Sequence, residues 1–97
     1  MTNVVLNEAY VKALERLSFA EGVGKAMVVR SVIYSRECMK ILEKEISPPL
    51  AKITVEAFAD VVGTMCTALD MKFNEDILPL VRQIDDEVKE YLWKNLQ

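Results

Sequence analysis

A mainly α fold is predicted for this chain by three observations. Its apolar residues recur at steps of three and four along almost the whole length. Apolar residues make up 52% of 97 positions and mean hydropathy is slightly positive, which argues against disorder. Three glycines and three prolines leave too little turn chemistry for a many-stranded β fold. The length suits one small domain, with obligate oligomerisation as a companion expectation. Apolar runs of only four or five residues are far short of the roughly 20 needed to cross a bilayer. The first residues lack a basic stretch followed by an apolar run, so no secretory signal is read there and a cytoplasmic location is expected.

In residues 7–21, Tyr10, Val11, Leu14 and Leu17 mark the first helix. Gly22 and Gly24 then fit a C-cap and a short turn. From Lys25 to about Ile46, Val28, Val29, Val32, Ile33, Met39 and Ile41/Leu42 follow helical spacing, with Arg30 and Arg36 set for internal or dimer-interface pairs. Ser47-Pro48-Pro49 places an N-cap residue before proline, so a third helix begins at Pro48. Its expected stripe is Leu50, Ile53, Ala57/Phe58, Val61, Met65 and Leu69, ending near Met71, with Gly63 as a weak point. Asn74, followed by Glu75 and Asp76, reads as the N-cap of a fourth helix with acids against its positive end. Its stripe is Ile77, Val81, Ile84, Val88 and Tyr91, widened by Leu80, Leu92 and Leu96. The opening residues differ: Asn3 and Asn7 bracket the β-branched pair Val4-Val5, which favours a short strand with Thr2, Val4 and Leu6 on one face.

The side-chain inventory removes much of enzymology. Histidine is absent, and with it the commonest general base and the commonest zinc ligand. Cys38 and Cys66 are far apart among apolar residues and read as buried core thiols. Asp85, Asp86, Glu87 and Glu90 could be imagined as magnesium ligands, as in all-α nucleotide pyrophosphohydrolases. Only Glu56 and Asp60 are offered opposite them, and the run reads as a solvated acidic face. Trp93 and the five methionines read as core and interface filling. No catalytic set, metal or cofactor is therefore expected.

The order strand, helix, glycine turn, helix resembles the ribbon-helix-helix DNA-binding proteins of the MetJ, Arc and CopG type over residues 1–34. Leu6-Asn7-Glu8 looks like that family's strand-ending Leu-Pro-Glu, and Gly22 to Ile33 like its turn and second helix, with Gly24 and Ala26 where hydroxyl residues are usual. The resemblance implies a dimer whose paired N-terminal strands lie in the major groove of double-stranded DNA. It implies base contacts from Asn3, by its carboxamide, and from Val5, on a thymine methyl. It also implies phosphate contacts from Lys25 and the amides of Gly24 and Lys25.

Charge points the same way weakly. Residues 1–46 carry seven basic and six acidic side chains, net +1; residues 47–97 carry five and nine, net −4. The expected organisation is thus a ribbon-helix-helix DNA-binding and dimerisation unit over 1–46, and a helical hairpin over 47–97 sharing its core. The expected function is a small dimeric transcriptional regulator. The alternative is an all-α bundle of three or four helices acting as a protein-interaction module, an adaptor or inhibitor, through the wide stripe of the fourth helix.

Overall fold

The computed structural model describes the backbone of residues 3–45 and 47–95. Among these residues there are four α-helices, α1 (Asn3–Glu21), α2 (Val23–Glu45), α3 (Pro48–Ala68) and α4 (Leu78–Asn95), and no strand. A five-residue π-helical turn, Phe73–Ile77, leads into α4.

The ribbon-helix-helix fold is therefore corrected to an all-α bundle, since the expected strand over Thr2–Leu6 is helical from Asn3 onward. Met1 and Thr2 lie outside the described residues. The physical reason is cooperativity. Extending an existing helix through Val4-Val5 adds a backbone hydrogen bond per residue, against a β-branched penalty of roughly half a kcal/mol each. A lone strand gains no ladder partner.

The connections follow local chemistry. Gly22 has φ of +97°, and its amide donates to the Ser18 carbonyl at 3.0 Å. Gly22 thus turns α1 into α2 in one residue, in a conformation that L side chains avoid. At the end of α3 the Met71 amide donates to the Cys66 carbonyl and the Asp70 amide to the Thr67 carbonyl, with Asp70 at φ +53°. That is a Schellman closure with aspartate in the left-handed position more often held by glycine. It stops α3 before the expected Met71.

The start of the last helical segment also differs from expectation. Lys72, extended at φ −103° and ψ 122°, is the boundary residue rather than Asn74. The Asp76 carboxylate accepts the Lys72 amide at 2.8 Å, covering one of the amides a helix start leaves unpaired.

α2 lies at the centre. α1 packs on α2 and α4, α4 packs also on α2, and α3 packs along α2. The buried core runs through Ala9, Ala13, Leu14 and Leu17 of α1, Ala26, Val28, Val29 and Ile33 of α2, Val62 and Cys66 of α3, and Ile77, Val81, Ile84 and Val88. Of the expected stripe of the fourth helix, Ile77, Val81, Ile84 and Val88 are thus spent inside the molecule, with Leu80, Tyr91 and Leu92 partly buried against them, while Leu96 lies outside the described residues. The stripe of the third is rotated: Ile53 and Val61 are exposed, and Val62 and Cys66 take the core side. Cys66 is buried as expected, whereas Cys38 is exposed, on the side of α2 away from its core residues Val29 and Ile33. The result is a flat molecule, 39 × 35 × 17 Å. No helix among the described residues is long and apolar enough to cross a membrane.

Candidate functional site

α3 has an unusual charge layout that determines what surrounds it. Its only charged residues, Lys52, Glu56 and Asp60, recur every four residues and form a single stripe. A helix apolar on nearly all other sides is expected to be covered on more than one of them. Among the described residues, only α2 packs closely along it.

Beside that contact runs a trough of about 410 Å³, open along one side. Val32 and Met39 of α2 form its floor, and Val55, Phe58, Ala59 and Val62 of α3 form a wall, with Phe73 of the π-helical turn also lining it. Gly63 lies at its edge, and a Cβ there would meet nothing within 4 Å. The polar groups in the lining are already engaged. The Ser35 hydroxyl donates to the Ser31 carbonyl at 2.6 Å, and Arg36 is held by α4.

That Arg36 contact joins three elements. Its Nη1 and Nη2 donate to Oδ2 and Oδ1 of Asp85, both at 2.8 Å, and Nη2 reaches the Tyr10 hydroxyl at 3.4 Å. The fork onto Asp85 holds the guanidinium charged, well above its ordinary range. Arg36 Nε is buried without a hydrogen bond, 3.6 Å from Glu37 Oε1. Burial holds the Tyr10 hydroxyl above its ordinary 10.0, outweighing the lowering effect of Arg36. Folding thus favours neutral Tyr10. Its contribution is complete below about pH 10 and is lost as pH rises through the folded-state value. Urea unfolding from pH 9 to 11.5 is expected to show a steeper loss of stability in the native chain than in Tyr10→Phe.

The residues singled out for DNA contact are separated along the backbone by the length of α1. Asn3 and Val5, of which the backbone alone is described, are in the first turns of α1. Lys25 follows the far end of that helix, roughly 25 Å away at 1.5 Å per residue. Lys25 Nζ pairs with Glu21 at 3.6 Å, and Leu69 and Met71 side chains lie against Gly24. The two-stranded ribbon that would carry Asn3 and Val5 to base edges is replaced by helix. The acidic run of α4 is partly paired as well: Asp85 with Arg36, Glu87 with Arg16 at 2.8 Å, and Glu90 with Lys94 at 3.2 Å. No group of three or more His, Cys, Asp or Glu able to hold a metal occurs among the described residues.

The sequence reading missed the trough. In the sequence Gly63 marks only a weak point in a helix, and Val55 falls outside the expected stripe of α3. The available signal was the charge layout of α3, three charges on one stripe and small or apolar residues elsewhere. Comparisons with protein-family models, with curated proteins and with solved structures each find no match.

Proposed function

We propose that this chain is an all-α interaction module that binds an amphipathic helix of another protein in the trough between α2 and α3. The observation that carries this reading is the lining: about 410 Å³ of open trough with apolar residues from two helices, its Ser35 hydroxyl bonded within α2 and its Arg36 forked onto Asp85. Apart from Ser35 and the Arg36 guanidinium, which α4 holds, the trough is lined by apolar and small residues, so the chemistry on offer is burial of apolar side chains. The apolar character of α3 supports the same reading, because one packed side does not account for it. A DNA-binding role has lost the strand on which it rested.

A displayed library of amphipathic helical peptides, selected on the immobilised protein, tests this. Enriched peptides are expected to bind Gly63→Phe and Met39→Glu at least tenfold more weakly than the native chain. Gly63→Phe adds bulk where a Cβ meets nothing, and it replaces a helical glycine, so unchanged circular dichroism is expected. Failure to enrich any peptide, or equal binding to all three chains, overturns the reading.

A further inference from the structure

The opposite side of α2 carries a second apolar seam. Val23, Met27, Tyr34 and Ile41 succeed one another at steps of four, seven and seven residues, a heptad spacing sustained over most of the helix. All four are exposed, Val23 at 72% and Ile41 at 57%. Val11 and Leu14 of α1 border the same seam, leaving a groove of about 400 Å³ between the two helices. This seam points away from Val28, Val32 and Ser35, on the α3 side of α2, and so lies apart from the trough.

We propose that this face is where two copies of the chain pair, with their α2 helices antiparallel across a two-fold axis that passes between Arg30 and Tyr34. The first argument is area. A compact 11.0 kDa monomer exposes roughly 5,600 Å², whereas this chain exposes 6753 Å². The excess of about 1,100 Å², shared between this face and the trough, is of the order of the roughly 800 Å² per partner that a stable interface buries. The radius of gyration agrees: 14.3 Å, against about 12.5 Å for a compact domain of this length.

The second argument is charge complementarity. Arg30 and Glu37 lie on the same seam, seven residues apart and of opposite sign; Glu37 is already 3.3 Å from Lys40 and 3.6 Å from Arg36 of its own helix, so the charge left for a partner is that of Arg30. Arg30 has no ion pair among the described residues; its guanidinium sits 5.2 Å from the Tyr34 ring of its own helix. An antiparallel two-fold sets Val23 against the partner's Ile41 and Arg30 against the partner's Tyr34. Arg30 then stands within one helical turn of the partner's Glu37, and symmetry repeats the contact. A second copy therefore covers Val23 and Ile41, places Met27 alongside the partner's Glu37 and gives Arg30 an acidic neighbour, the way two helical hairpins meet in a four-helix bundle.

Sedimentation equilibrium over a micromolar to millimolar concentration series tests the pairing. The native chain is expected to reach twice its monomer mass. Met27→Asp and Arg30→Glu are each expected to weaken association at least tenfold with unchanged helicity, as both side chains are exposed. Glu37→Arg is expected to do likewise, and an equimolar mixture of the Arg30→Glu and Glu37→Arg chains to recover dimer, because each then meets an opposite charge. A monomer throughout the series overturns the proposal. So does a dimer indifferent to Met27→Asp and Arg30→Glu, since that dimer would use another face.

Discussion

Ile84→Ala is expected to cost about 3 kcal/mol and to lower the thermal midpoint by on the order of 15 °C. Ile84 is 0% exposed, in the core with Val81 and Val88 of its own helix, and α4 packs against α1 and α2. Removing three carbon atoms there loses their transfer free energy and leaves a cavity that two helices cannot easily close. For a domain of this length, total stability is roughly 5–15 kcal/mol, so the substitution removes a large fraction of it. Ile53→Ala deletes the same atoms from a side chain that is 64% exposed on α3. Its cost is expected to stay within about 0.5 kcal/mol, since alanine also has the better helix propensity. Parallel urea titrations of the two variants measure the difference. Equal costs would mean that α3 is rotated from the orientation described.

That pair of isoleucines also marks where the sequence was legible and where it was not. α4 has charges at Arg82, Asp85, Asp86, Glu87, Lys89, Glu90 and Lys94, and they leave its apolar residues one consistent side. Ile77, Val81, Ile84 and Val88 could be read as core, and all four are buried. In α3 the three charges occupy one narrow stripe, and several apolar stripes fit the remainder equally well. Periodicity alone had no basis for preferring Val62 and Cys66 over Ile53 and Val61; packing against α2 decided it. Small residues were overlooked for a related reason. Ala9 and Ala13 are buried in α1, although a pattern search weights Tyr10 and Val11 above them. The strand over the first residues was misread because β propensity reflects packing on a sheet, and no sheet exists here among the described residues. The trough required knowledge of tertiary arrangement: α3 and α4 settle on different sides of the α1–α2 pair, and no local pattern records that.

Removing Asp85 alone is expected to cost about 2 kcal/mol, more than a surface ion pair is worth. Arg36 and Asp85 side chains are 34% and 26% exposed, so water screens the pair only partly. Asp85→Ala leaves a guanidinium that has lost both 2.8 Å bonds, beside an Nε that already makes none. Desolvation of that uncompensated charge adds to the lost attraction, although the remaining exposure keeps the cost below the roughly 3–5 kcal/mol of a fully buried pair. Arg36→Lys is expected to recover little of the fork, since an ammonium cannot donate two parallel bonds to one carboxylate. Arg36→Met with Asp85→Leu behaves differently. It removes both charges and fills their space with apolar side chains, so its cost is expected to fall well below the sum of the two single changes. A double-mutant cycle by urea unfolding measures this directly, with a coupling of about 1–2 kcal/mol expected. Coupling near zero would mean that the fork contributes nothing beyond its separate side chains. The ion pair would then be a consequence of α2 and α4 packing rather than one of the interactions that fix their register.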